Sequence, residues 1–224
     1  MQPRAALLGL ALALGAAGCS TLGVSVPGSL AANDFGPRQE LRVCILREAS
    51  VSEARARSLI AGVNGAFAAY GIEVSVPWIR PWQRPGYRSE AIVGELASRP
   101  LEPPCDRLVA LLGRPFSDVL LGLVVPETLG AVETATRTRG YVVANFGSLK
   151  QLLTPPGLAT RHEFHHLLGC QHALTLSACY ERIARVKRAY ADAGASGEDF
   201  FPGIAGDGAP ILTRAEVDAR LSAP

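Results

Sequence analysis

One stretch of eleven residues, 162–172, constrains the fold of this chain more than any other. Its sequence, HEFHHLLGCQH, has the pattern H-E-x-x-H-x-x-G-x-x-H. Because residues four apart lie on one face of a helix, His162 and His166 can direct their imidazole rings at one point. Gly169 can adopt a positive φ at little cost, end the helix and turn the chain so that His172 approaches the same point. The pattern therefore predicts a helix ended by a glycine and three converging histidines.

Three converging histidines are a ligand set for zinc, because a catalytic zinc site has three protein ligands and an open position for water. We therefore expect Zn²⁺ to be held by His162, His166 and His172. Glu163 lies beside a ligand and is placed to take a proton from the metal-bound water. All four histidines of the chain lie in this stretch, and we expect a supporting or exposed position for His165. A surface helix with solvated histidines is the alternative interpretation.

The amino terminus predicts export. One arginine precedes an apolar run that ends at Ala17, which has the length of a signal peptide and is too short for a comfortable membrane span. The run closes on Ala-Ala-Gly-Cys19, which resembles a bacterial lipobox, with alanine where that pattern prefers leucine. The resemblance implies a lipoprotein signal peptide over 1–18 and a lipidated Cys19 that anchors the chain to a membrane. Because Ser20 follows, it also implies an outer-membrane location facing the periplasm. Ordinary cleavage and secretion is the alternative.

The rest of the chain reads as a tether followed by one domain. Residues 19–39 are rich in glycine, serine and proline, which predicts a flexible tether. Residues 40–224 have the length of a single domain. The formal net charge of +2 is close to balance and does not indicate nucleic-acid binding. We expect a monomer.

Cysteine usage supports an oxidising compartment. With Cys19 assigned to lipidation, four of the five cysteines remain: Cys44, Cys105, Cys170 and Cys179. An even number predicts two disulfides, with three possible pairings. The pair Cys170–Cys179 would brace the loop around His172 and leave Cys44–Cys105 by elimination. A cysteine zinc cluster is the rival interpretation, and the sequence has no C-x-x-C pair to favour it.

The order of predicted elements indicates an α/β (α+β) domain. A strand over 40–46, a helix over 54–70 and a strand over 72–76 form a βαβ unit with parallel strands. Apolar runs over 107–112 and 119–125 fit buried strands, and part of a buried helix is the alternative for either run. Residues 127–138 predict a loop or an irregular strand along the rim of a cleft. A strand over 140–146 and the helix over 158–168 that carries the histidines follow them.

This layout resembles the metzincin clan of zinc proteases over roughly 41–188, and among its members the archaemetzincin-like group. The resemblance implies a single zincin domain with a mixed twisted sheet, whose antiparallel edge strand comes just before the active-site helix. Residues 140–146 would be that strand. A strand edge holds an extended peptide through its unpaired backbone groups. The residues implied to bind substrate are Gly140, Tyr141, Val142 and Val143. An interior strand without a ligand is the alternative.

The chain departs from the clan in two places. It has no C-x-x-C pair for the second zinc site of the archaemetzincin-like group, and no methionine except Met1. The clan places a methionine turn beneath the metal after the third histidine, where Cys179 stands here. Tyr180, beside it, resembles the tyrosine that some members use as a fifth ligand or oxyanion donor. Packing in the core is the alternative for Tyr180.

The motif and the resemblance together predict a zinc-dependent peptidase of the bacterial envelope, acting on a peptide or protein. A second hypothesis is a non-catalytic zinc-binding lipoprotein, a scaffold or metal reservoir. The unusual turn after His172 motivates it, and Glu163 argues against it because a structural site needs no base. A third is zinc-dependent hydrolysis of a non-peptide amide, for instance in the cell wall. The sequence does not separate the first hypothesis from the third.

Overall fold

A six-stranded sheet lies at the centre of the fold. The computed structural model describes residues 22–114, 128–148, 150–194 and 198–222. The predicted signal peptide, Cys19 and the predicted strand over 119–125 lie outside these ranges. The strands of the sheet are β1 (Gln39–Arg47), β2 (Ile72–Ser75), β3 (Ile79–Pro81), β4 (Arg107–Leu112), β5 (Gly130–Val132) and β6 (Arg139–Val143).

The sheet is mixed, as the sequence predicts. Its order is β2-β1-β4-β6-β5, and β3 pairs with β1 beyond the end of β2. Every pairing in the sheet is parallel except that of β5 with β6, so β5 is an antiparallel strand at one end of the order. The fold is therefore a single mixed α/β domain with an antiparallel strand at the end of the described sheet.

Helices flank the sheet, and a small hairpin lies between the last two of them. The helices are α1 (Glu53–Phe67), α2 (Ser89–Ala97), α3 (Lys150–Leu153), α4 (Pro156–Leu167), α5 (Ser177–Ala193) and α6 (Arg214–Ser222), and the hairpin pairs β7 (Gly203–Ile204) with β8 (Pro210–Ile211). The hydroxyl of Ser52 caps α1 by accepting the Arg55 backbone N–H at 3.1 Å. Within the described residues, none of the helices has the length and apolar character needed to cross a membrane.

The position predicted for the edge strand is wrong. The strand that precedes the active-site helix, β6, lies between β4 and β5 and pairs with both. The backbone groups of the four residues predicted to bind substrate are therefore used within the sheet: Gly140, Tyr141, Val142 and Val143. All five residues of β6 are buried, which is what a continuous run of this kind indicates in a parallel sheet. The edge is β5, inside the segment that predicts a loop or an irregular rim strand.

The described part of the predicted flexible tether is docked on the domain. Val24 donates its N–H to the carbonyl of Leu174 at 3.0 Å and accepts the N–H of Leu176 at 3.0 Å. Leu22, 8% exposed, belongs to the core. Two more apolar side chains of the segment pack against that core: Leu30 and Phe35. Burial of these side chains offsets the entropy of ordering a glycine-rich segment, which composition alone does not reveal.

The cysteines pair as the sequence predicts. Cys44 of β1 is bonded to Cys105, with their Cα atoms 5.5 Å apart. Cys170, after α4, is bonded to Cys179 of α5 across a Cα separation of 4.6 Å. Since all four cysteines are consumed in disulfides, the rival interpretation of a cysteine zinc cluster is wrong.

A fully buried arginine fastens the end of α4 to the sheet. Arg107, at 0% exposure, donates to the carbonyl of Leu167 at 3.2 Å. It also donates to the carbonyls of Asp106 at 2.8 Å, Phe201 at 2.9 Å and Pro202 at 2.5 Å. Burial lowers the pKa of Arg107 to about 10, so the guanidinium is charged at neutral pH. Four carbonyl oxygens thus converge on one buried cation at the base of the active-site helix.

Replacing Arg107 by methionine is expected to lower the free energy of unfolding by about 3 to 5 kcal/mol, because buried carbonyl oxygens lose their donor. Arg57→Met is the matched control. Arg57 pairs with Glu53 on the exposed face of α1, where an i,i+4 pair contributes about 0.3 to 0.5 kcal/mol. Urea unfolding with both disulfides intact measures the difference. Equal losses in the two variants would contradict the role given to Arg107.

Candidate active site

The active-site helix ends where the sequence predicts. Helix α4 begins with a proline in its first turn and ends at Leu167, and Gly169 follows with φ 87°. A Cβ at Gly169 would lie 2.8 Å from Cδ1 of Ile204 and 2.9 Å from Cδ of Arg182. Glycine is therefore required here both by the backbone conformation and by the space. The turn brings the chain back towards the helix face that carries His166.

Three histidines converge on one point. Ligand nitrogens of His162, His166 and His172 all lie within 4.8 Å of one another, and Nε2 of His162 is 3.1 Å from Nε2 of His166. The first two side chains are half-buried, and His172 is exposed. No other group of three potential metal ligands occurs in the part of the chain that the structure describes. Three imidazoles with one side open to solvent match the donor set of a catalytic zinc site, so these residues fit the ion that the sequence predicts.

The ring of His166 is held in the orientation a ligand needs. Its Nδ1 lies 2.7 Å from the carbonyl oxygen of Cys170, and because a carbonyl only accepts, Nδ1 carries the proton. The lone pair is then on Nε2, the nitrogen that faces His162. Fixing the tautomer through the second ring nitrogen is how proteins orient metal-binding histidines. The carbonyl that does so here belongs to a residue tied to α5 by a disulfide.

Burial also sets the protonation of the site. It lowers the pKa of His162 and of His166 to about 4 each, so both rings are neutral and available as ligands at neutral pH. Burial raises the pKa of Glu163 to about 8. A nearby cation favours the charged form of a carboxyl group and opposes that shift. A raised carboxyl pKa in a cleft beside a metal-ligand cluster is a typical property of a catalytic acid or base.

Glu163 fits closely beneath β5. It is 8% exposed, and a Cβ placed on Gly130 would lie 2.4 Å from its Cγ and 2.8 Å from its Cδ and Oε1. Only glycine at position 130 leaves room for the carboxylate where it stands. The sequence alone does not identify Gly130, because the need for glycine there comes from contact with Glu163, which is 33 residues later in the chain.

A cleft of about 490 Å³ joins these features. It is lined by the three histidines, Glu163, all of β5 and the cationic side chains of Arg137 and Lys150, together with Ala159 of α4 and loop residues beside β5, after α3 and after α4. The residues of the cleft on which the chemistry depends are Gly130, Arg137, His162, Glu163, His166 and His172. A volume of this size accepts a few residues of a peptide or a small molecule.

The role predicted for Tyr180 as a ligand or oxyanion donor is wrong. Tyr180 is 5% exposed in the hydrophobic core and packs on Tyr70, with ring centroids 5.9 Å apart. It does not line the cleft. The apolar face of α5, which carries Tyr180, is turned towards the core, as the packing alternative requires.

His165 takes a supporting position outside the triad. Its Nδ1 lies 2.6 Å from the carbonyl of Arg161, so Nδ1 donates and Nε2 accepts from the hydroxyl of Tyr70 at 3.0 Å. Phe67 packs edge-on against the same ring, with centroids 5.0 Å apart. These contacts fasten α4 to the end of α1.

Two solved structures show a remote likeness to this chain. No protein-family model matches the chain, and no curated protein matches it. A chain in the structure of a chaperone–substrate complex is similar with a TM-score of 0.43 and 10% identity, covering 58% of this chain and 23% of that one. The archaemetzincin of Methanopyrus kandleri is similar with a TM-score of 0.39 and 12% identity, covering 68% of this chain and 96% of that one. At TM-scores this low, the function of the chain must be inferred from its own residues.

Proposed function

We propose that this protein is a zinc-dependent peptidase. The observation that carries the proposal is one cleft in which three imidazoles converge, a buried carboxyl group lies beside them and a strand edge forms the wall. A purely structural zinc site needs neither the carboxyl group nor the open side. Glu163 and the exposure of His172 therefore favour catalysis over a scaffold or metal reservoir.

Each residue of the site has a distinct task. His162, His166 and His172 would hold the ion, with the Cys170 carbonyl fixing the ring of His166. Held by these residues, zinc would supply a Lewis acid for the scissile carbonyl and would lower the pKa of water to about 7. Glu163 takes the proton of the attacking water on a carboxylate oxygen and returns it to the leaving amine. Its enclosure beneath Gly130 keeps that oxygen in place.

The edge of β5 is suited to hold the substrate backbone. Leu129 and Glu133 bond to the backbone of the β6 segment. By the alternation of an antiparallel ladder, the N–H and C=O groups of Gly130 and Val132 are directed away from β6. No described strand lies beyond β5. An extended peptide paired with these groups would lie along the cleft, next to the three histidines.

Replacing Gly130 by alanine is expected to lower the rate of peptide hydrolysis at least about tenfold, since a small misplacement of a catalytic group is costly. The new methyl group overlaps the side chain of Glu163 and must displace it. Zinc binding and folding should change little, because the displaced atoms belong to a side chain that is not a ligand. Gly62→Ala is the control, since its Cβ would meet open space on α1. An unchanged rate in Gly130→Ala would show that the position of Glu163 is unimportant.

The test of the proposed function is cleavage of a mixed peptide library by zinc-loaded protein comprising residues 20–224, followed by mass spectrometry. Cleavage that a chelator abolishes and added zinc restores is the expected result. One equivalent of tightly bound zinc with no cleaved peptide would favour the scaffold or reservoir. Release of amines from cell-wall amides by the same protein, with peptides intact, would favour the non-peptide amide.

We also propose an envelope location with a membrane anchor at Cys19. The support is the sequence of the leader, and the structure adds a consequence. Cys19 precedes Leu22 by three residues, so the anchor could lie no more than about 10 Å along the chain from the docked segment. Val24 on that segment and Leu174, whose carbonyl accepts the N–H of Val24, are apolar side chains with 69% and 91% exposure. An anchored chain would therefore present the loop after His172 close to the membrane.

Metabolic labelling with a fatty acid tests the anchor. The parent protein should be labelled and should fractionate with membranes, whereas Cys19→Ser should be unlabelled and soluble in the periplasm. Cys105→Ser, which removes a cysteine of a disulfide, is the control and should remain labelled. A parent protein found unlabelled in the culture medium would establish ordinary secretion instead.

A further inference from the structure

An arginine occupies a constrained turn between β5 and β6. Arg137 has φ 55°, and it is the one non-glycine residue with positive φ in the described ranges. The carboxylate of Glu133 fixes the turn by accepting the N–H of Thr136 at 2.8 Å and that of Thr138 at 2.6 Å. Such a conformation is strained for a residue with a side chain, and this kind of strain is concentrated at functional sites.

The side chain of Arg137 is buried in the cleft wall. It is 7% exposed and lines the same cleft as His162, Glu163 and His166. Its Nε is buried without a hydrogen-bond acceptor. Across the described ranges, no carboxylate forms an ion pair with its guanidinium, and the nearest acid that acts on it, Glu133, is committed to the turn.

Other buried arginines of this protein have partners. Arg139, next but one in the chain, pairs with Asp218, and Arg107 is surrounded by carbonyl oxygens. Arg139 also has a buried Nε without a partner, but its terminal nitrogens donate to Thr138, Arg99 and Asp218. Among these three arginines, Arg137 is the one that lines the cleft. Burying a cation without a counter-charge is unfavourable in general. An anion that enters the cleft would offset that cost.

The surroundings reinforce the positive potential. Burial lowers the pKa of Arg137, and the charge of Arg182 lowers it further, while Glu133 raises it. Arg182 extends from α5 and donates to the carbonyl of Gly169 at 2.6 Å. Lys150 of α3 lines the cleft as well. Arg182 therefore acts on Arg137 from α5, and Lys150 is a second cationic side chain in the cleft lining. A planar guanidinium suits a carboxylate with two parallel hydrogen bonds.

We propose that Arg137 forms a carboxylate-binding subsite that selects the substrates of this cleft. The ligand would be an extended peptide whose carboxylate reaches Arg137 while its backbone pairs with β5. The carboxylate is either the α-carboxylate of the peptide or the side chain of an aspartate or glutamate. The inference rests on the proposed function for the peptide nature of the ligand and on Arg137 for the carboxylate.

The test measures binding, so that it does not depend on turnover. Zinc-loaded Glu163→Gln protein is incubated with a library of acetylated peptides made both as free acids and as C-terminal amides. Retained peptides are quantified by mass spectrometry. We expect free acids, or amides that contain aspartate or glutamate, to be retained roughly 10- to 100-fold better than neutral amides. Preference for all free acids identifies the α-carboxylate, and preference for acidic residues in both forms identifies the side chain.

Variants connect the preference to Arg137. Arg137→Asn removes the charge while tolerating the left-handed backbone, and should abolish the preference. Arg137→Lys keeps the charge without the planar fork and should retain part of it. Arg185→Gln, on the exposed side of α5, makes the same change of charge outside the cleft and should retain all of it. Direct contact of carboxylates with zinc would persist in Arg137→Asn and is thereby distinguished.

Other outcomes overturn the inference. Equal retention of acidic and neutral peptides, no retention at all, or an unchanged preference in Arg137→Asn would each contradict it. A lowered kcat for neutral and acidic peptides alike, with KM unchanged in Arg137→Asn, would place the residue at the reacting carbonyl instead. Selective binding of acids by a parent protein that cleaves nothing would refute the peptidase and leave the subsite standing.

Discussion

Glu163→Gln should lower the rate of peptide hydrolysis by about 10²- to 10⁴-fold, the usual contribution of a general acid–base group. Glutamine keeps the volume of the side chain beneath Gly130 but cannot accept a proton. The three imidazoles are untouched, so one equivalent of zinc should still bind. The comparison needs kcat/KM for one peptide and the metal content of both proteins.

The control for this substitution is Glu181→Gln, which makes the same change on the exposed surface of α5. It should leave the rate unchanged. Full activity in Glu163→Gln would show that another group takes the proton, and the assignment of Glu163 would then be wrong. Loss of zinc together with activity would make Glu163 a contributor to metal binding instead.

Removing the disulfide between Cys170 and Cys179 should weaken zinc binding about 10- to 100-fold, the usual effect of losing an outer partner of a metal ligand. The carbonyl of Cys170 receives the Nδ1–H of His166, and the disulfide holds that carbonyl against α5. In the double Cys→Ser variant the loop that also carries His172 is free to move. Competition with a chromophoric chelator measures the affinity.

The second disulfide supplies a matched control. Cys44–Cys105 joins β1 to the turn before β4, and neither residue lines the cleft. Its removal should lower the free energy of unfolding by about 2 to 5 kcal/mol and leave the zinc affinity of the folded protein unchanged. If the two double variants lose zinc affinity equally, the effect is one of general stability and the bracing role of Cys170 is refuted.

The metal-ligand geometry could be predicted because it is local. Helical spacing places His162 and His166 on one face, and a glycine at position 169 turns the chain within three residues. The βαβ unit of β1, α1 and β2 is equally local. Ser52 caps the start of α1, and Gly71, with φ 61°, turns the chain into β2. The disulfide pairing followed from the even number of cysteines and from the closeness of Cys170 and Cys179 to His172, which left Cys44–Cys105 by elimination.

The edge strand and the other residues of the cleft could not be predicted, because their positions depend on contacts between distant parts of the chain. The edge strand was assigned to residues 140–146 because the resemblance to metzincins implies an antiparallel edge just before the active-site helix, whereas β5 has three residues and is recognised only by its pairing with β6. Gly130 is required by the packing of Glu163, and Arg137 is an ordinary arginine in a polar turn until the fold buries it. Tyr180 was misplaced because proximity in sequence to the third histidine does not decide which face of α5 meets the cleft.

The most direct test of the central claim is the rate of peptide cleavage as zinc is added back to metal-free protein. The rate should rise from near zero in proportion to zinc and stop rising at one equivalent per chain, the number that one histidine triad can hold. A rate that is already maximal without zinc would contradict the account. So would a protein that fills its site at one equivalent and still cleaves no peptide.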